Sequence, residues 1–424
     1  MGSFGDFLFE PPSTKVKNVY YQLSLHIIFF NTFHVTCALI QTFFTRMLNR
    51  RTIRIKIMQS LFAFDQCKEA NHLLSLDLLE ERFSPNLNSM EVQDKELLRQ
   101  QKKIAFQQFD KKFKGIEKPN EKQVEVDKSI TKAVGEAMEL FEKQVKKDQL
   151  YLGKNIISEI QKLTETYHNT LGLIITFAEV ASGEKKSVHA TFLNQPIVQA
   201  LVGNEELKKE LLRSAGWNNH LTQVRDWFRE IVKEDKEYQK FIEEKTHDFD
   251  SQKAFLKHLL RKVILANNSI NDHFEEQDIR WAEDKDIIKS LSEKTIKSFD
   301  GHKIDLQKVS LDWADDKLFI EKLFKETIGL NAQHKELISQ NTKNWEVDRL
   351  PLTDRVILEM AIAEMVNFPS IPVKVTINEY IELAKEYSTP KSRQFINGIL
   401  DVISKKMKES GMMKKSGRGL IDNK

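Results

Sequence analysis

Apolar residues recur at three- and four-residue steps along most of the chain, a pattern typical of amphipathic α-helices. The clearest run is residues 352–368, LTDRVILEMAIAEMVNF. Its apolar face is broad enough to predict a deeply buried helix and consists of Val356, Ile357, Met360, Ala361 and Met365. Pro369 follows directly and predicts the end of this helix.

Two further helices are predicted downstream by their start signals. Thr376 and Glu379 match a T-x-x-E capping box, in which each side chain accepts a hydrogen bond from a free backbone N–H at a helix start. Thr389 followed by Pro390 predicts an N-cap and the first position of the next helix. Three consecutive helices with short connections predict a helical bundle.

A basic helix is predicted near the N-terminus, where residues 47–66 read MLNRRTIRIKIMQSLFAFDQ. Arg50 and Arg54 lie one turn apart with Arg51 and Lys56 nearby, and no acidic residue occurs between Arg46 and Asp65. Arginines without local acidic partners are available to bind phosphate. For basic residues on a helix taken alone, a solvated face is the expectation and a nucleic-acid contact is the alternative.

The ordered motifs in residues 345–401 resemble the C-terminal half of the NusB transcription antitermination family. They are D-R-x-I-L-x-M-A-x-x-E-M, I-P-x-K-V-x-I-N-E-x-I-E-L-A-K and S-x-x-F-I-N-G-I-L-D. Residues 47–66 are similar to the family's opening R-R-x-x-R…Q-x-L-[YF]. The resemblance implies an RNA-binding transcription antitermination factor. Its partners are single-stranded RNA of nascent ribosomal transcripts, a small-subunit ribosomal protein in the NusE role and the RNA polymerase antitermination complex.

The resemblance also implies functional positions. Arg50, Arg51, Arg54 and Phe62 match RNA-contacting positions of the family, and Lys56 lies near them on the same basic helix. Gln394 and Phe395 match the place where the family meets its ribosomal-protein partner. Thr52 interrupts the arginine run and Lys391 stands where an acidic residue is common, so these contacts differ in detail. No cofactor, metal or small-molecule substrate is implied.

The predicted fold is all-α, a NusB-like helical bundle split by a large helical insertion. The predicted divisions are an apolar extension at 1–46, the arginine-rich helix at 47–66, the insertion at 67–310, the C-terminal bundle at 311–408 and a basic flexible tail at 409–424.

Within the chain, residues 249–285 and 313–349 align without a gap, which indicates an internal helical-hairpin repeat. The repeat pairs Phe255 with Phe319, Leu259 with Leu323, Asn267 with Asn331, Trp281 with Trp345 and Asp284 with Asp348. Core packing is the expectation for both tryptophans, with base stacking as the alternative.

Composition suits a cytoplasmic protein of two or three domains: 424 residues, 40% hydrophobic, 30% charged, formal net charge +3 and two cysteines. Residues 19–44 carry no charged side chain and could span a bilayer, but His26, Asn31 and His34 interrupt them. The hypothesis is that residues 1–46 come from an upstream start assignment and are absent from the working protein.

Other classes of protein remain as alternatives. A NusB-like RNA-binding or protein-interaction scaffold without antitermination activity is the first, and a membrane-anchored scaffold rests on residues 19–44 alone. A methyltransferase with a NusB-like domain requires a glycine-rich cofactor loop and a nucleophilic cysteine. The chain has its single G-x-G at residues 417–419 and neither cysteine follows proline, so no enzyme is predicted.

Overall fold

The computed structural model describes residues 50–423 apart from residues 87, 89–91, 115–126, 185–186, 245 and 342–349. Every regular element in these residues is helical, and they contain no β-strand. The predicted all-α class is therefore confirmed. The apolar segment 19–44, Trp345 and Asp348 lie outside the described residues.

The described chain forms sixteen α-helices, numbered here in chain order. They are α1 Arg50–Arg82, α2 Lys95–Phe113, α3 Lys128–Ser182, α4 Ala190–Leu193, α5 Pro196–Val202, α6 Glu205–Arg213, α7 Leu221–Trp227, α8 Lys236–Glu243, α9 Phe249–His258, α10 Asn268–Gln277, α11 Trp281–Ser298, α12 Trp313–Ile328, α13 Ala332–Asn341, α14 Leu352–Asn367, α15 Val373–Tyr387 and α16 Pro390–Glu409. Two π-helical turns, Phe228–Val232 and Leu259–Ile264, continue α7 and α9. Three 3₁₀ turns occupy Ser187–His189, Asn218–His220 and Gly417–Asn423. None of the described helices is both long enough and apolar enough to cross a bilayer.

The chain divides into two units. Among the described residues, those of 65–148 form the small unit and those of 50–64 and 149–423 form the large unit, so the first turns of α1 belong to the large unit and the remainder of α1 to the small one. The small unit has its own apolar core, drawn from α1, α2 and α3 and the turn after α1. The core residues are Leu79, Phe83, Ala105, Phe109, Ile130, Ala133, Val134, Ala137 and Phe141.

The centre of the large unit is α14, which is buried on nearly every side. The five apolar residues predicted for its core face are all inaccessible, and Leu358, Ile362 and Ala363 on other faces are buried as well. The helix ends at Asn367, two residues before Pro369, as predicted. Since α14 packs against α12, α15 and α16, it organises the C-terminal bundle.

The two predicted start signals have different outcomes. The Thr389 side chain accepts a hydrogen bond from the Ser392 backbone N–H at 3.1 Å, which confirms the N-cap of α16. The capping box is wrong, because α15 begins at Val373 and Thr376 already lies inside its first turn. Thr376 and Glu379 instead point at charged groups on α14 and α1.

The internal repeat is visible in the placement of helix starts and caps. Helices α9 and α12 begin at residues 249 and 313, and α10 and α13 begin at residues 268 and 332, so both pairs keep the same offset. Asn267 and Asn331 accept hydrogen bonds from the backbone N–H groups of Ile270 and His334 in the same way. The paired phenylalanines and leucines are all buried. Each copy therefore builds the same helix–turn–helix packing.

Trp281 has a structural environment that agrees with core packing. Its ring stacks on Phe274 with centroids 4.3 Å apart, and its indole N–H donates to the Asn271 side chain at 2.8 Å. With 2% of its surface exposed, it has no face available to a base.

The C-terminal tail packs on the bundle, unlike the flexible tail predicted from residue 409. Met413 is buried, and the Ser416 backbone N–H donates to the Pro369 carbonyl at 3.0 Å. The Lys415 ammonium donates to the Phe368 carbonyl at 3.1 Å. The lysine-rich composition predicted a solvated tail. The burial of Met413 and the hydrogen bonds of Lys415 and Ser416 instead hold the described part of the tail beside the turn between α14 and α15.

Candidate nucleic-acid interface

The predicted basic residues lie at the start of α1, inside the large unit. Arg50 forms ion pairs with Asp315 and Asp316 in the first turn of α12, the second with Nε–Oδ1 at 3.1 Å. Its guanidinium also lies over the Phe319 ring, 4.0 Å from the centroid. A third of the Arg50 side chain remains exposed.

Arg51 pairs with α15. Its Nε and Nη2 donate to the two carboxylate oxygens of Glu379 at 3.1 and 2.9 Å, a bidentate arrangement. The hydrogen bonds to Glu379 raise the pKa of Arg51 against the opposing effect of burial, and the charges of Glu382 and Glu386 add to the increase. The surroundings of Arg51 are therefore acidic, although 37% of its side chain is exposed.

Arg54 is the buried member of the group. Its Nε and Nη2 donate to the two oxygens of Glu364 at 2.7 and 2.8 Å, and the two side chains are 3% and 0% exposed. Burial lowers the pKa of Arg54. The charge of Glu364 and its hydrogen bonds raise the pKa by more than burial lowers it, so the net shift is upward. Arg54 thus stays charged inside the protein, since its counter-charge is fixed beside it.

Glu364 accepts two more hydrogen bonds from α15. The Thr376 hydroxyl donates to Oε1 at 2.9 Å, and the Tyr380 hydroxyl donates to Oε2 at 3.1 Å. Burial and then the Glu364 charge raise the pKa of Tyr380 well above its usual value of 10. The carboxylate therefore has four donors, which is the arrangement that a buried charge requires.

Lys56 forms a second buried pair on α1. Its ammonium lies 3.0 Å from Oδ1 of Asp284 on α11, and its side chain is 2% exposed. Burial raises the pKa of Asp284, and the Lys56 charge opposes that shift. One turn further along α1, the Gln59 amide donates to Glu283. These contacts join the second and third turns of α1 to α11.

These basic side chains have no acidic residue near them in the sequence, but they do have acidic partners in space. Every one has a carboxylate partner, and the partners lie 228–328 residues away in the chain, where local sequence reasoning cannot place them. Only Arg50 and Arg51 keep substantial exposed surface, while Arg54 and Lys56 have almost none. Phe62 is half-buried.

One sequence signal could have revealed the buried pair. Glu364 follows Ala361, Ile362 and Ala363 and precedes Met365 on a helix that is apolar on almost every side. A carboxylate enclosed by apolar residues needs a cation nearby, because an isolated buried charge is too costly. Arg54 interrupts the apolar stripe of α1 in the same manner.

The predicted partner-binding residues lie on α16. Gln394 is exposed and Phe395 is half-buried against the core. Gly398, one turn further, has open space where a Cβ would project. This part of α16 therefore presents a mixed polar and apolar surface with a gap between side chains.

Other chemistry in the described residues is sparse. They contain no group of three or more His, Cys, Asp or Glu side chains that could hold a metal ion. A cavity of about 540 Å³ lies elsewhere in the large unit and is lined by polar side chains with Trp227. None of the predicted site residues lines it.

The described residues thus form an all-α structure in which ion pairs join a basic helix to a helical bundle near the C-terminus. Residues 283–405 match the family model described as NusB family, so the chain carries a NusB-family domain in that range. The match begins earlier than the bundle predicted from residue 311. All the carboxylates that pair with Arg50, Arg51, Arg54 and Lys56 lie within the matched range. The start of α1 and the matched domain therefore pack together within the large unit, although residues 65–282 separate them in the chain.

Curated relatives match a short part of the chain. A protein of Chloroherpeton thalassium named "Transcription antitermination protein NusB" is 49% identical over 76 residues, which is 18% of this chain and 36% of the relative. Proteins with the same name from Salinibacter ruber and Natranaerobius thermophilus are 44% identical over 75 residues and 45% identical over 64 residues. These matches cover 18% and 15% of this chain and 47% and 46% of the relatives. The chain thus spans about a third to a half of the length of these relatives, and no solved structure matches it.

Proposed function

We propose that this protein is a cytoplasmic, non-enzymatic RNA-binding factor in transcription antitermination, acting on nascent ribosomal transcripts with a small-subunit ribosomal protein. The proposal extends the names of the relatives from the matched segment to the whole chain. One observation carries it: the arginine-rich start of α1, far away in sequence, is packed onto the NusB-family domain by specific ion pairs. The chain therefore brings together, in one structure, the two sequence features that resemble the family: the arginine-rich helix and the C-terminal motifs.

The proposed RNA contacts fall into two groups. Arg50 and Arg51 are the direct candidates, because about a third of each side chain is exposed and arginine binds phosphate well. Arg54 and Lys56 act by holding α1 in place, since burial leaves them no surface for RNA. Phe62 and the α16 pair, Gln394 and Phe395, remain proposed contacts for RNA and the ribosomal-protein partner.

Salt-dependent binding tests this function. The full chain should bind single-stranded ribosomal leader RNA, and the ribosomal-protein partner should strengthen binding. Arg50→Ala/Arg51→Ala should weaken binding and reduce the log–log salt slope by up to about 0.7 for each lost phosphate contact. Arg213→Ala is a matched control, because Arg213 is an exposed, ion-paired arginine of the same unit that is not part of the proposed site.

A second candidate function has its own supporting observation. Because each basic side chain already has a carboxylate partner, the arginine helix could serve only to complete the bundle. The protein would then be a protein-interaction scaffold without RNA binding. A folded wild-type protein that binds the ribosomal-protein partner but no RNA at low salt would favour the scaffold and refute the first proposal.

A further inference from the structure

The exposed arginines carry no excess of positive charge. Four cationic side chains at the start of α1 meet five carboxylates, those of Asp284, Asp315, Asp316, Glu364 and Glu379. Attraction of phosphate depends on cations that are not already neutralised. A phosphate group that binds Arg50 or Arg51 therefore competes with a carboxylate already paired with the same guanidinium.

Replacement is feasible at Arg50 for three structural reasons. Asp315 is 66% exposed, so its carboxylate can turn into solvent without a burial penalty. Asp316 has another partner, because the Ser310 hydroxyl donates to it at 2.6 Å and remains after Arg50 is released. Arg50 stays in place over the Phe319 ring when the carboxylates leave.

The other ion pairs at the start of α1 cannot be released in the same way. Removing Glu364 or Asp284 from its cation would leave an isolated charge in the interior, which is strongly unfavourable. Glu379 contacts Arg54 at 3.5 Å as well as Arg51, so its release would disturb the buried group. Only Asp315 and Asp316 combine contact with an exposed arginine and independence from the buried pairs.

We infer that Asp315 and Asp316 form an autoinhibitory contact that competes with RNA phosphates for Arg50. This inference rests on the proposed RNA-binding function. Any RNA that uses Arg50 must first displace the two carboxylates, so the acids lower the affinity of this site for phosphate. The displacement costs the same for every polyanion, and an RNA held by further contacts on the domain offsets it.

The test is the double variant Asp315→Asn/Asp316→Asn in the full chain. The amide keeps the shape of the side chain and removes the charge, so phosphate no longer has to displace an anion. We expect leader RNA to bind about threefold to tenfold more tightly, the order of magnitude given by the loss of one exposed and one half-buried ion pair. The log–log salt slope should also become steeper, because no released carboxylate takes up cations. Binding of poly(U), a non-specific single strand, should increase by a similar factor, because both RNAs displace the same carboxylates from Arg50.

A matched control separates competition from general charge. Glu321→Gln/Glu336→Gln removes two exposed carboxylates of the same unit; Glu321 pairs with Lys317 and Glu336 with Gln340, and neither touches Arg50. If the control strengthens binding as much as the Asp315/Asp316 variant, simple long-range repulsion explains the effect and the inference is overturned. Equal or weaker leader-RNA binding by a folded Asp315/Asp316 variant overturns it too.

A second measurement does not depend on RNA. Phenylglyoxal modifies accessible arginines, and peptide mass spectrometry reports its rate at each residue. Arg50 should react faster in the Asp315/Asp316 variant than in wild type, while buried Arg54 stays protected in both. An unchanged Arg50 rate refutes the competition itself. Faster labelling without RNA binding by any variant supports competition for Arg50 and refutes the proposed RNA-binding function instead.

Discussion

Arg54 and Glu364 are joined by two parallel hydrogen bonds across 310 residues of sequence. Neither side chain is exposed to solvent, and the carboxylate receives two further donors from α15. The pair therefore fixes α1, α14 and α15 in one arrangement. It also makes the first described helix dependent on a domain near the other end of the chain.

Arg54→Ala should lower the free energy of unfolding of the large unit by about 3–5 kcal/mol, because it leaves the buried Glu364 charge without a counter-ion. Urea denaturation followed by circular dichroism measures the loss. Arg54→Leu/Glu364→Leu removes both charges and should lose less than the sum of the single Arg54→Leu and Glu364→Leu variants. A loss below about 1 kcal/mol in Arg54→Ala, typical of exposed ion pairs, would contradict the structural role of the pair.

Tyr380→Phe and Thr376→Val should each reduce the free energy of unfolding by about 1.5–3 kcal/mol. Each substitution removes one hydrogen-bond donor to a buried carboxylate and changes the shape of the side chain little. The same urea experiment measures both. Thr389→Val, which removes the N-cap of α16 instead, provides a comparison and should cost about 0.5–2 kcal/mol.

Gly419→Ala should release the C-terminal tail. A Cβ at residue 419 would lie 2.0 Å from the Pro369 carbonyl oxygen, which is a backbone atom and cannot move aside easily. Limited trypsin digestion should therefore cut after Lys414, Lys415 and Arg418 faster than in wild type. Gly398→Ala is the control, since a Cβ there meets nothing within 4 Å and the tail should keep its resistance.

Stability should decrease as the pH falls below about 6.5, in part through His168. Burial lowers the pKa of His168 from its usual 6.5, and its Nδ1 has no hydrogen-bond partner among the described residues. In this range the unfolded state binds more protons than the folded state, so acidification favours unfolding. The decrease in unfolding free energy between pH 7.5 and 5.5 should be smaller in His168→Gln than in wild type. Equal decreases would show that His168 does not titrate differently on unfolding.

Helix positions were predictable where the signal is local. The end of α14 before Pro369 and the start of α16 at Thr389 and Pro390 follow from backbone constraints within a few residues. The repeat was predictable for the same reason, because its buried positions and caps recur at a fixed offset. These features do not depend on which distant element packs against the helix.

The charged site shows where sequence reasoning fails. Thr376 and Glu379 have the spacing of a capping box, but α15 starts earlier and both side chains bind tertiary partners. Arg50 and Arg51 have no acid near them in sequence, but three carboxylates from α12 and α15 surround them in space. The contacts of Arg50, Arg51 and Glu379 join residues separated by more than 200 positions, and no local periodicity encodes them.

The separation of Arg54 from Glu364 has a consequence for synthesis on the ribosome. Chains grow at about 5–20 residues per second, so the 310 intervening residues take about 15–60 s to appear. Throughout that interval Arg54 lacks its carboxylate partner and the apolar stripe of the helix lacks the completed bundle that covers it. Chaperones that shield emerging amphipathic helices should therefore associate with this chain early and leave only after α14 has been translated.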